Sequence, residues 1–289
     1  MDKYSEFWGR ELIRTEVDWD ENRVMLYAVG VGAGLDDNLR DLQFTTENTP
    51  DVPLRVLPTY LAQLQRGFGW SRLLGFGDDP GMIRAVHGEH AITVRNLIPP
   101  SGRAETMTVL DGVYDKGSGA LVVTTTRVTD LATGAELGSS HMSVFVQGQG
   151  DFGGPRDVPG QAEACPERDP DTVVSLPVGL NQSLIFRHMG DHTRHGSTME
   201  GALRDGFDRP IFFGLGTFGY AGRALLRAVC EDDVARFGYL SGRFSKPVYP
   251  GDRLDVRIWR NDEGARFQVI AGGERVAFDR GVFRFAQPA

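Results

Sequence analysis

The stretch that most constrains this chain is residues 206–229, GFDRPIFFGLGTFGYAGRALLRAV. Leu215, Phe218, Leu225, Leu226 and Val229 recur at helical spacing, which predicts a buried helix opening at Pro210–Gly214 and running to Val229. Gly214, Gly216, Gly219 and Gly222 interrupt it. Each interior glycine costs about 0.5–1 kcal/mol relative to alanine, so a run of them makes sense where a sheet must approach the helix backbone closely. The preceding residues carry Asp191 and three of the chain's six histidines, His188, His192 and His195. A titratable loop feeding a buried helix is an active-site layout, because the first amides of a helix lack intrahelical partners and face an incoming anion.

The rest of the chain reads as two similar halves. From Pro58 a helix is predicted over 58–71, with proline at the favoured first position and Tyr60, Leu61, Leu64 and Phe68 on one side. Residues 86–150 then alternate apolar and polar positions in several runs broken by PPSG, KGSG and ATGA turns, the pattern of an antiparallel meander. After the second helix the strand pattern returns over 237–286, again with glycine turns. Residues 1–26 are polar, and YAVGVGAG at 27–34 reads as a short helix or a backbone turn. Residues 153–172 carry prolines and charges with little to bury, and read as a linker. The expected division is residues 1–152, a linker at 153–172, and residues 173–289, each half one helix with a long antiparallel sheet, an α+β fold.

Bulk properties narrow the function classes. A net charge of −8 argues against nucleic acid or an anionic membrane as the main partner, without excluding a small anion met by a local basic patch. Cys165 and Cys230 are too few for a disulfide framework and show no metal-ligand spacing. MDKYSEFWGREL lacks an apolar signal core, no run of about 18 apolar residues is present, and Gln287-Pro288-Ala289 is not a peroxisomal address. A cytoplasmic protein without metal or cofactor is expected. The glycine-rich runs YAVGVGAG and LGTFGYAG lie outside any strand–turn–helix unit with an acid about 20 residues on, so dinucleotide binding is rejected.

The fragments YAVGVGAG, LPTY (57–60), HGE (87–89), DKGSGALV (115–122), VGLNQSL (178–184), GFDRPIFFGLGTFGYAGRAL (206–225) and RFSKPVYPGD (243–252) together resemble the type 2 enoyl-CoA hydratases, the MaoC-like double hot-dog family. The resemblance spans nearly the whole chain. It implies two hot-dog units, joined edge to edge, each a long helix wrapped by antiparallel strands. The first would hold most of the acyl chain, and the second would carry the catalytic loop. The implied reaction is reversible hydration of a trans-2-enoyl-CoA to the (3R)-3-hydroxyacyl-CoA, or the reverse dehydration. The substrate would be an acyl-CoA or an acyl-carrier-protein thioester, and a homodimer is compatible with the resemblance.

The family loop reads Gly-Asp-x-Asn-Pro-x-His. Here it reads Gly190-Asp191-His192-Thr193-Arg194-His195-Gly196, so Gly196 takes the place of the histidine and His195 lies one residue early. Phe213 also stands where many members have histidine. The resemblance makes Asp191 a catalytic residue, His195 its partner by a one-residue slip ahead of His192 and His188, and the Gly214 amide the donor to the thioester oxygen. On residue type alone Asp191 reads as a helix or turn cap and His195 as an exposed loop histidine. It further suggests His87, Arg194, Gly216, Arg243 and Lys246 as substrate-binding residues. His90 is expected to be a satisfied structural histidine, and Arg243, Lys246 and Arg253 alternatively a solvated strand edge. A different outcome of the altered loop is a hot-dog protein that binds acyl-CoA, or one that performs dehydration or another reaction, such as thioester hydrolysis, on a carrier-bound specialised metabolite.

Overall fold

The structure, a computed structural model, describes residues 3–65, 70–77, 85–160 and 162–287. Strands β1 (Glu11–Trp19), β2 (Ala85–Val94), β3 (Gly102–Asp115), β4 (Gly119–Asp130) and β5 (Glu136–Gln147) belong to the first half. Strands β6 (Thr172–Pro177), β7 (Phe237–Phe244), β8 (Arg253–Asn261), β9 (Gly264–Ala271) and β10 (Arg275–Phe285) belong to the second. Helices α1 (Glu21–Gly30), α2 (Leu42–Thr45), α3 (Leu61–Leu64) and α4 (Trp70–Leu73) precede β2; α5 (Gln182–Arg187), α6 (Met199–Arg204) and α7 (Gly214–Val229) lie between β6 and β7.

All ten strands form one sheet in the order β1-β3-β4-β5-β2-β7-β10-β9-β8-β6, and every pairing is antiparallel. Read outward from the centre, each half repeats one order: second strand, fifth, fourth, third, first. The halves meet where β2 pairs with β7, from Glu89 opposite Arg243 to Thr93 opposite Tyr239. That seam removes two exposed strand edges, the main liability of isolated sheets. This is the expected α+β double hot-dog.

The strands alternate as their sequences do. In β7 the even residues Leu240 and Gly242 are buried toward the helices, while Tyr239, Ser241 and Arg243 face outward. Strand β1 was not anticipated, because only Val17 and Trp19 are buried in an otherwise charged edge strand. The reading of 27–34 as helix or turn resolves into both: α1, capped by Asp20 accepting from the Arg23 amide, ends at Gly30, and turns follow. Residues 153–171 form no helix or strand among the described residues, yet they are held, since Cys165 Sγ donates to the Phe267 carbonyl.

The predicted long helix over 58–71 does not form. Pro58–Tyr60 is a single 3-10 turn, α3 lasts four residues, and Gln65 is already extended at φ −72°, ψ 135°. The part of the expectation that falls on 66–69 lies outside the described residues. In its place α3 packs on β2 and β5, and Trp70 of α4 clusters with Leu110, Val122 and Val144, while α7 packs on the strands of the second half and on Pro58–Tyr60. The glycine face of α7 meets the first half, and the close approach comes from there rather than from a sheet. A Cβ at Gly219 would lie 2.4 Å from Val31 and 2.8 Å from the Tyr27 hydroxyl; one at Gly222 would lie 2.4 Å from Thr59. Arg223, buried on the next turn, donates to the Val31 carbonyl at 3.0 Å and to Asp41 at 2.5 Å, and Arg227 pairs with Asp36 at 2.8 Å. Burial pushes the Asp36 carboxyl up, but Arg227 and Arg223 more than reverse this and hold it below its ordinary value. The Gln182 amide of α5 completes the clamp, donating 2.7 Å bonds to the Val29 and Gly30 carbonyls at the end of α1.

Gly219→Ala and Gly222→Ala should therefore each lose about 1–3 kcal/mol in urea unfolding through overpacking, although alanine is the better helix former. Equal or higher stability in both variants would show that the two halves do not need this close approach.

Candidate active site

The loop between α5 and α7 is fastened at several points. Ser183 Oγ donates to the Ile211 carbonyl at 3.1 Å, the Ile211 amide donates to the His195 carbonyl at 3.1 Å, and the Phe212 amide donates to the Val248 carbonyl at 2.7 Å. These bonds fix His195 relative to the residues that open α7. Thr198 caps α6 by accepting from the Gly201 amide, and α6 returns the chain through Asp205 toward His195.

The structure joins Asp191 and His195 through Thr193. The Thr193 hydroxyl donates to Asp191 Oδ1 at 2.7 Å and lies 3.4 Å from His195 Nε2. On its other side His195 Nδ1 lies 3.0 Å from Asp205 Oδ2. The His195 ring is held between Phe207 and Phe213, with ring centroids 5.8 Å and 6.0 Å away. Asp205 gave no signal in the sequence, because it lies ten residues downstream on the far side of α6.

Gly196 and Phe213 are complementary. A Cβ at Gly196 would come within 2.4 Å of the Phe213 ring, which is itself buried and stacked on Phe186 at 5.7 Å. The ring occupies the space that any side chain at 196 would need. His195, one residue earlier, is half-buried against Phe207 and Phe213. His188, His192 and Arg194 are exposed on the loop.

Gly214 opens α7, where its amide belongs to the turn that helix geometry leaves without an intrahelical acceptor. Phe244 packs beside it, 3.2 Å from where a Cβ would stand, and His87 packs on Phe244 with centroids 4.7 Å apart. His87 therefore reaches the neighbourhood of the α7 start from across the seam. Gly216 has an evident packing use, since a Cβ there would meet Phe212 at 2.3 Å. Arg243 lies on the opposite face of β7 from Phe244, and Lys246 lies beyond the strand end; both are exposed. Among the described residues, no group of three or more His, Cys, Asp or Glu is placed to hold a metal ion, and no helix is long and apolar enough to cross a membrane.

His90 is buried and bonded, with Nδ1 3.3 Å from His87 Nε2 and Nε2 3.2 Å from Ser140 Oγ. Burial pushes His87 down to about 4 and holds His90 well below its ordinary value, with His87 adding to the effect on His90. The unfolded chain, with histidines near 6.5, takes up protons that the folded chain refuses. The stability these neutral rings permit is complete above pH about 6.5 and is lost as pH falls toward 4. Melting temperature should drop between pH 7.5 and 5, and His87→Gln or His90→Gln should flatten that drop; an unchanged slope in both would remove these rings as its source.

Comparison with known proteins agrees with this architecture. Residues 18–148 match the MFE-2 hydratase 2 N-terminal domain, and residues 161–280 match the MaoC like domain. The chain is 34% identical over 277 residues to a 3-hydroxyacyl-thioester dehydratase of Mycobacterium tuberculosis, covering 93% of each chain. It is 31% identical to the peroxisomal enoyl-CoA hydratase 2 of Arabidopsis thaliana, covering 87% of this chain and 85% of that one. A MaoC-like dehydratase crystal structure from Phytophthora capsici superposes with a TM-score of 0.81 at 28% identity over 96% of both chains. The chain belongs to the hydratase 2 and MaoC-like dehydratase family.

Proposed function

We propose that this protein is a hydro-lyase that reversibly adds water to a trans-2-enoyl-CoA, giving the (3R)-3-hydroxyacyl-CoA. The observation that carries this reading is the joining of Asp191 and His195 through Thr193, on a loop bonded to the segment that opens α7. Hydration needs a base for the water that attacks C3, an acid for C2, and a donor for the thioester oxygen as enolate character develops. A carboxylate and an imidazole on one loop supply the first two. The Gly214 amide, aided by the dipole of a sixteen-residue helix, supplies the third. Residues 1–152 would provide most of the acyl-chain surface and residues 173–289 the reacting groups, with Arg194 and Lys246 the exposed cations available to the CoA phosphates.

The Gly196–Phe213 packing favours a second reading, a hot-dog protein that binds acyl thioesters without turning them over. Loss of enoyl-thioester absorbance with crotonyl-CoA and with a longer trans-2-enoyl-CoA separates the two. On the hydratase reading, Asp191→Asn and His195→Ala each lower turnover by at least about a hundredfold, and the double variant is scarcely worse than either single. His188→Ala and His192→Ala are mild. If the native chain is inactive and activity appears only in Gly196→His combined with Phe213→Leu, the binding reading stands instead.

The Gly214 amide has its own test. Phe213 is extended at φ −64°, ψ 143°, the conformation a residue before proline prefers, and Gly214 is the first helical position, where proline is tolerated. Gly214→Pro should delete the donor with the helix intact and lower kcat by about 10²–10³-fold. A folded Gly214→Pro variant with native kcat would take the amide out of the mechanism.

A further inference from the structure

We propose that Asp205 is the positioning residue of His195, and that the Thr193 hydroxyl is the link that passes a proton between Asp191 and His195. The proposal rests on the reading above, that Asp191 and His195 are the base and the acid of the hydration.

Asp205 Oδ2 lies 3.0 Å from His195 Nδ1. Burial raises the Asp205 carboxyl, but hydrogen bonds from Arg204 and His195 more than reverse this and leave it below its ordinary value. An ionised carboxylate only accepts, so Nδ1 must carry its hydrogen. Nε2 is then the nitrogen free to gain and lose a proton. A carboxylate at the end of α6 faces the negative end of that helix, an unfavourable place unless cations compensate, and Arg204 and His195 are the groups that meet it there. With Nδ1 bonded and the ring held between Phe207 and Phe213, Nε2 is aimed at Thr193.

Thr193 has one hydroxyl hydrogen and two neighbours for it, Asp191 Oδ1 at 2.7 Å and His195 Nε2 at 3.4 Å. When His195 is charged, every contact is satisfied: Nε2–H donates to the Thr193 oxygen and the Thr193 hydroxyl donates to the Asp191 carboxylate. In hydration, the water oxygen bonds to C3 and its proton goes to Asp191, while Nε2–H leaves its long contact with the Thr193 oxygen and gives its proton to C2. The Asp191 proton then moves to the Thr193 oxygen as the Thr193 hydrogen moves to Nε2. One proton has passed from Asp191 to His195, both groups are back in their starting forms, and no outside acid is needed. Dehydration runs the same steps in reverse.

The test pairs nitrogen NMR of labelled histidine, the His195 signal assigned by its loss in His195→Ala, with steady-state kinetics on crotonyl-CoA. Native neutral His195 should be the Nδ1–H tautomer, and Asp205→Asn, which can offer an N–H to Nδ1, should lose that preference. The same variant should lower kcat about a hundredfold at unchanged KM, the split expected of a group that acts through His195. Thr193→Val should lose about tenfold or more, and Thr193→Ser, which restores the hydroxyl, should recover most of that loss. An unchanged tautomer in Asp205→Asn overturns the positioning role, whatever the rate does. A native rate in Thr193→Val overturns the link, and an inactive native chain overturns the link together with the hydratase reading, while the tautomer still decides Asp205.

Discussion

The structure depends on how closely the first half can come to the backbone of α7. Bare glycines at 219 and 222 let Tyr27, Val31 and Thr59 rest on that helix, and the propensity lost is about 1–2 kcal/mol in total. Burying one valine side chain returns about as much, so the contact outweighs its local cost. Arg223 adds direction more than stability. Its side chain is 3% exposed, and removing such a charge from water costs several kcal/mol. Asp41, Asp36 and the Val31 carbonyl offset this only in one arrangement of α1 and its following turn against α7. One long helix thus packs on the strands of the second half and on α1, its following turn and Thr59 of the first.

That shared helix also sets where free amides and a titratable loop meet. Its buried length is committed to packing, which leaves its first turn as the place where amides, a titratable loop and the seam come together. Phe213 connects these roles. Its ring stacks on Phe186, fills the space above Gly196 and borders His195, so the core and the loop set one another's positions. The Phe213 ring leaves no room for a side chain at 196, and His195 packs against its edge. From the other half, β2 brings His87 onto Phe244 beside Gly214, a contact that exists only because β2 and β7 pair.

Much of this was legible in the chain. The apolar spacing from Leu215 to Val229 located α7, whose first residue is the last of the Pro210–Gly214 opening, and the alternation in the two strand blocks marked the duplicated sheet. The concentration of Asp191, His192 and His195 before that helix marked the loop. Elsewhere the local signals misled. Tyr60, Leu61, Leu64 and Phe68 have helical spacing, yet the described part of that segment becomes extended at Gln65, whose side chain accepts from Ser140 on β5. Glu11–Trp19 looked polar because an edge strand needs to bury only Val17 and Trp19.

The sequence by itself determined the kinds of element, their twofold repetition and the loop that carries acid and imidazole, because periodicity and residue chemistry are properties of neighbouring positions. Tertiary structure decided which surface the glycines of α7 serve, which helix both halves share, and which carboxylate holds His195. Those are contacts between residues such as Gly219 and Val31, or His195 and Asp205, that the chain separates and only packing unites. Whether such pairs meet depends on the steric and electrostatic fit of the surfaces around them, and no local pattern records that fit.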